Sequence, residues 1–212
     1  MKLTAILTVL LASALACGQP LEVANVSATG CPLALSSGVD GEFTAVMARN
    51  NSSKSVVAVV AVTTVTDVSG HALAIISTQD YLFKLGAIEP GKEREIAAIQ
   101  TSELDASVTH AVGAVRFVQF DDGTTWGDPG AAKEMIAERP EKLAFLEHIV
   151  EVYDTRGEAS FNAALNEPKP ISGRFIMAMC LKSDADGAKI ARIDLARTRL
   201  RAAQKWQESG IF

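Results

Sequence analysis

Val56–Asp67, VVAVVAVTTVTD, decides how this chain is read. It is entered through Asn50-Asn51-Ser52-Ser53 and left through Ser69-Gly70, turn-forming residues on both sides. β-Branched side chains dominate it, and it is too short to cross a membrane as a helix, so it reads as a buried strand. Its first half is apolar at every position, so both alternating faces need cover.

Working outward, further strands are expected at Leu21–Ala28, Glu42–Arg49, His71–Ser77, Tyr81–Leu85, Lys92–Ile99 and Val108–Phe120. Gly30-Cys31-Pro32, Ser36–Gly41 and Pro90-Gly91 read as turns, and Asp121-Asp122-Gly123 as a hairpin turn returning through Trp126. Short strands at this spacing predict two antiparallel sheets packed face to face.

Two stretches carry a family resemblance. NNSSKSVVAVVAVTTVTDVSG resembles a segment of bacterial envelope Ig-like modules of the FxLYD-like type, in which an Asn-rich turn, an apolar strand and an Asp-x-x-Gly turn follow one another. VRFVQFDDGTTWGD is similar to the closing hairpin of such domains. The resemblance spans Val39 to Asp128 and implies an Ig-like sandwich, an envelope setting within a lipoprotein-type family, and no catalytic residues.

Beyond Trp126 the periodicity changes. Asp128-Pro129 suits a helix start, with one short helix over Ala131–Glu138 and a second from Pro140 to Tyr153. The second carries a stripe of Leu143, Leu146, Ile149, Val150 and Tyr153. Thr155 with Glu158 reads as a capping box for a third helix bearing Phe161, Ala164 and Leu165. Phe175–Leu181 is expected to be buried, as strand or as helix. A last helix follows Ser183–Gly187 and runs to about Glu208, with Ile190, Ile193, Leu200, Ala203 and Trp206 facing a core.

The expected fold class is mainly β with α: an Ig-like antiparallel β-sandwich followed by a C-terminal helical extension packed on it. The divisions are 1–16 as signal peptide, 17–38 as an N-terminal segment with the first strand, 39–130 as the sandwich and 131–212 as the helical region. Val56–Val62 and Val112–Phe120 point apolar side chains both ways, Arg116 and Gln119 excepted. A sandwich usually leaves its outer faces polar, so the helices are expected to roof one sheet, making a single body from which no soluble folded Val39–Asp128 fragment can be cut.

The address is set at the start. Lys2 precedes Leu3–Ala16, apolar but for Thr4, Thr8 and Ser13. A spanning helix needs roughly 20 such residues, so this reads as a secretory signal. Ala14-Leu15-Ala16-Cys17 resembles the lipobox of bacterial lipoproteins, which implies lipid attachment at Cys17 and a membrane surface as partner. Ala14-x-Ala16 also suits ordinary signal peptidase, which would release a soluble protein. With Cys17 lipidated, Cys31 and Cys180 remain, and in an oxidising compartment such a pair is expected to bridge. Two unpaired buried thiols are the alternative.

Charge and motifs narrow the function. Cys17–Gly130 holds 6 Lys+Arg against 13 Asp+Glu, net −7, and Ala131 onward holds 13 against 12, net +1. That balance gives no case for nucleic acid. Asp184-Ala185-Asp186-Gly187 opens like a calcium loop but has Ala188 and Leu195 where oxygen ligands belong, and reads as a helix-capping turn. His71, His110 and His148 are scattered, and Glu147, His148 and Glu151 lack metal-protease spacing. The cations of the last helix (Lys189, Arg192, Arg197, Arg199, Arg201, Lys205) are expected to form salt bridges to the acidic sandwich, with anionic lipid as the alternative. Trp126 and Trp206 read as core. No catalytic, metal or cofactor residues are assigned. The expectation is an exported, non-enzymatic envelope protein that acts through an unidentified protein partner. The alternative is an enzyme or small-ligand carrier with its site where sandwich and helices meet.

Overall fold

The structure, a computed structural model, describes residues 21–40, 43–67, 69–84, 86–100, 108–167, 173–188 and 190–212. Eight strands come first: β1 (Val23–Asn25), β2 (Leu33–Asp40), β3 (Phe43–Asn50), β4 (Val56–Asp67), β5 (Ala72–Asp80), β6 (Glu93–Gln100), β7 (Val108–Phe120) and β8 (Thr125–Gly127). Four α-helices follow among the described residues: α1 (Lys133–Ala137), α2 (Arg139–Ala164), α3 (Gly173–Ala188) and α4 (Arg192–Glu208). The fold is mixed, two sheets plus a C-terminal helical part. The first sheet runs β1-β7-β4-β5, with β8 also on β7, and the second runs β2-β3-β6.

β4 sits inside the first sheet, between β7 and β5. Its residues Val56–Ala61 are all buried, and from Val62 burial alternates. The first half therefore has cover on both faces and the second half on one. The inner face (Val59, Ala61, Val65) joins Leu35 and Val46 of the second sheet and Val115 of β7 in one apolar cluster. Gly113 of β7 permits that approach, because a Cβ there would lie 2.8 Å from the Leu35 side chain.

A bulge in β7 divides the sheet's other face. Ala61 pairs with Val115 but Val60 pairs with Phe117, so Arg116 is the extra residue. Such an insertion reverses which side chains point inward, and beyond it Phe117 turns away from the inter-sheet cluster. Phe117, Ala58 and Val60 pack with Ala132 and Met135 of the helical part. The chain begins this roof at the bulge: Asp128 N–H donates to the Arg116 carbonyl at 2.8 Å. Gly127 (φ +92°) makes the crossing possible, since a Cβ would meet the Arg116 oxygen at 2.2 Å. Asp128 then caps a 3-10 turn over Pro129–Ala132, its Oδ1 accepting from Gly130 N–H at 2.8 Å.

A third cluster joins the first sheet's end to the helices. Val57, Leu82 and Phe83 enter a core built from Leu146 and Ile149 of α2, Leu181 of α3 and Leu195 of α4. Each such side chain contributes roughly 1.5–3 kcal/mol when fully buried.

Several sequence expectations are corrected. β1 is three residues long and pairs parallel with β7, so that sheet is not wholly antiparallel. Ser36–Asp40 belongs to β2 and pairs with β3, where a turn was expected, so β2 runs across the expected 38/39 boundary. Tyr81–Phe83 is a buried 3-10 turn and not a strand, because it sends Leu82 and Phe83 into the helical core while Tyr81 packs in the inter-sheet cluster. Thr155 forms no capping box. Its hydroxyl donates to the Glu151 carbonyl at 2.8 Å, and Gly157 (φ 78°, ψ −176°) breaks α2 in two. Phe175–Leu181 lies in α3, and Met179 within it is exposed. α3 continues through Asp184–Gly187, the expected capping turn, because both carboxylates are paired by arginines of α4. On α4 the buried face is Ile193, Leu195, Ala196, Arg199 and Ala203, whereas Ile190 is exposed. The signal peptide and Cys17 lie outside the described residues.

Candidate functional site

Where the first sheet meets the helices, four residues distant in sequence form a buried polar knot. Asp80 closes β5, Gln119 is near the end of β7, Arg139 opens α2 and Ile211 is in the C-terminal tail. Arg139 is 0% exposed. Its Nε donates to Asp80 Oδ2 at 3.1 Å, Nη2 to Gln119 Oε1 at 2.7 Å and to Asp80 Oδ1 at 3.4 Å, and Nη1 to the Ile211 carbonyl at 3.1 Å. Gln119 Nε2 donates to the same carbonyl at 3.0 Å. Burial pushes the Asp80 carboxyl above its ordinary value, and the Arg139 charge pulls the other way. A buried guanidinium holding a carboxylate, an amide and a backbone carbonyl locks roof to sheet.

Beside the knot lies a hollow of about 280 Å³, lined among others by Thr78, Asp80, Lys84, Glu138, Lys142 and Cys180. Its two lysines are both engaged by neighbours, one by a carboxylate and one by a neutral amide. Lys142 Nζ is 2.9 Å from Glu138 Oε2, and Lys84 Nζ donates to Gln79 Oε1 at 2.5 Å. No histidine lines it, so Cys180 has no imidazole base beside it there to generate a thiolate.

Among the described residues, nothing covers the other half of the first sheet's outer face. Val62 stands opposite Ile76 on one side and Ala114 on the other. Val26, just beyond β1, hydrogen-bonds through its N–H to Gly113 and extends that row. Thr64, Ala74, Val112 and Ala24 form the next row. Ile76 is 70% exposed, Leu73 59% and Val26 56%. Among the described residues β5 is a free edge of the sheet, and Ala72–Gln79 carries no charged side chain.

The residues singled out from sequence do not converge. Cys31 and Cys180 are free thiols, not close enough to bridge. Cys31 packs against the inter-sheet cluster, and Cys180 lies on α3 at the seam hollow, so the expected disulfide is absent. His71, His110 and His148 are exposed; His71 Nδ1 is 3.3 Å from Asp67 Oδ2. Glu147 accepts from Gln204. Among the described residues no three His, Cys, Asp or Glu side chains are grouped to hold a metal, and no helix is long and apolar enough to cross a membrane. Trp126 packs on the inter-sheet cluster and Trp206 on the helical core.

The salt bridges expected from the last helix to the acidic sheets are also corrected. Arg192 pairs with Asp186 at 3.0 Å, Arg197 with Asp154, and Arg199 with Asp184. The helical part supplies its own carboxylates. A charge that does cross to the sheets is Arg139, which stands between two helices expected from sequence.

Compared with protein-family models, curated proteins and solved structures, the chain matches none.

Proposed function

We propose that this chain is a non-enzymatic contact module of the bacterial cell envelope, exported by its leader, held at a membrane surface through lipidated Cys17, and engaging a protein partner on the open half of its first sheet. The observation that carries this is the apolar row Val26–Ala114–Val62–Ile76, ending on an uncharged edge strand. Contiguous exposed apolar surface on a sheet edge is characteristic of a contact site. At the seam, by contrast, the Arg139 knot and the Lys142–Glu138 pair satisfy much of the charge beside the hollow.

The strand order supports an Ig-like sandwich of the FxLYD-like type beneath this function. Leaving aside the short β1, which lies on β7, β2-β3-β6 on one side and β5-β4-β7-β8 on the other, with the chain changing sheets after β3, β5 and β6, resembles the crossing pattern of such folds.

The test has two arms. Cys17→Ser should move the protein from the membrane to the soluble fraction, and equal partition of both forms would rule out the anchor. A photo-crosslinking residue at position 76 should give a discrete protein adduct that the same residue at position 148, on the exposed side of α2, does not; equal labelling at both would overturn the contact surface. The 280 Å³ hollow favours a second reading, a small-ligand carrier or enzyme at the seam. Native mass spectrometry would support it by finding a bound small molecule and dismiss it by finding the bare chain.

A further inference from the structure

The free edge of β5 differs from the molecule's other edges. The register of β5 on β4 is unbroken from Ala58↔Asp80 to Thr66↔Ala72, so the strand carries no bulge to twist it away. It has no proline and no charge between Ala72 and Gln79. Native edges are normally guarded by such features. β6, an edge of the second sheet, carries Glu93, Arg94 and Glu95 and a register shift. The far edge of the first sheet is two three-residue pieces, β1 and β8. The edge at β2 lies beside β1.

The hydrogen-bonding phase of β5 is also fixed. Asp67 N–H donates to the His71 carbonyl at 3.0 Å. In an antiparallel ladder bonded and non-bonded pairs alternate. Leu73 and Ile75 therefore bond to β4, and Ala72, Ala74 and Ile76 turn their N–H and C=O groups to the open edge. These three also lie on the uncovered face. At the other end of β5, Thr78 and Asp80 face α1, α2 and α3 across the seam hollow, which confines the accessible edge to about Ala72–Ser77.

We propose that the partner on this edge is a second copy of the chain, paired antiparallel through β5 about a two-fold axis at Ala74. Ala74 then exchanges both backbone bonds with Ala74 of the second copy. Ala72 faces Ile76, small against large, on the outer side, and Leu73 faces Ile75 on the inner side, removing the exposed Leu73 from water. No like charges meet across the axis within Ala72–Ile76. The two open half-faces merge into one apolar surface across a continuous sheet. This rests on the reading of β5 and its face as the contact surface and names the occupant of its edge.

Standard interfaces bury roughly 800 Å² per partner, and a six-residue edge buries less. Dimerisation is therefore expected at a dissociation constant on the order of 10–100 μM, read by sedimentation velocity of the full chain. Ala74→Lys sets like charges opposite each other and should weaken the dimer at least about tenfold. Ala74→Glu should do the same, and an equimolar mixture of the two variants should recover a dimer, because only a two-fold at residue 74 makes that position face itself. His148→Lys, on the exposed side of α2 and away from this face, should leave the dimer intact. Ala74 is exposed, and unchanged urea midpoints would verify that the variants fold. A wild-type chain that stays monomeric at 500 μM, or a mixture that does not recover, overturns the self-pairing. If position 76 then still crosslinks to another protein, the contact-surface reading stands without it; if neither dimer nor crosslink is found, both fall.

Discussion

The two halves of the first sheet's outer face are made of the same strands and nearly the same side chains, yet one is core and the other is surface. Val60 lies 3% exposed under Met135, while Val62, two residues on, is half-buried beside the 70%-exposed Ile76. The boundary falls at the Arg116 bulge, where the chain returns through Gly127 and lays down its roof. Hydrophobic patterning thus specifies that a face needs covering, and the local backbone device specifies how far the chain covers it itself. Among the described residues the remainder has no such cover.

The largest effect that would break this contrast is expected at the lock. Arg139→Ala leaves Asp80 and Gln119 buried without their shared partner, and should cost about 3–5 kcal/mol in urea unfolding. A loss under about 1 kcal/mol would mean the roof is not fastened there. Truncation on the two halves sharpens the comparison next. Met135→Ala, on the underside of the roof over the covered half, should cost about 2–5 kcal/mol, and Ile76→Ala no more than about 0.5 kcal/mol in the monomer. Similar values at both sites would erase the distinction.

The smallest effect concerns the β7–β8 hairpin, which starts the return toward the roof. Asp122 accepts from Lys54 Nζ (2.6 Å) and from Thr124, and these bonds hold its carboxyl down to about 2. A carboxyl whose folded pKa lies below its unfolded value, near 4, stabilises the fold above that value. The contribution disappears as pH falls from about 4 to about 2. Wild type and Asp122→Asn should therefore differ in urea midpoint above pH 4 and converge by pH 2. A gap independent of pH would assign the effect to something other than ionisation.

Local chemistry was legible in the sequence wherever neighbours decide structure. The two-faced start of β4, the Asp121–Gly123 hairpin, the Asp128 cap and the apolar stripe from Leu143 in α2 all depend on residues within a few positions of one another. Tertiary partners hid the rest. Asp80 and Arg139 are 59 positions apart, and neither stands out from its neighbours; the one local hint was Gln119 interrupting an apolar strand. The Asp184–Gly187 stretch resembles a turn until Arg192 and Arg199 neutralise it from the next helix. The bulge at Arg116 has no proline or glycine at its own position to mark it. The exposed β5 edge was invisible as well, since Ala72–Ser77 reads the same whether a strand lies beside it or water does.

The central claim is that half of one sheet face depends on the helices for its cover. The most direct measurement is to express residues 21–128 without the helical part and record near-ultraviolet circular dichroism and solubility beside the full chain. With Val57, Ala58, Val60, Phe83 and Phe117 stripped of their partners, the fragment should aggregate or lose fixed aromatic packing. A soluble fragment with native near-ultraviolet signal and cooperative unfolding would contradict the account.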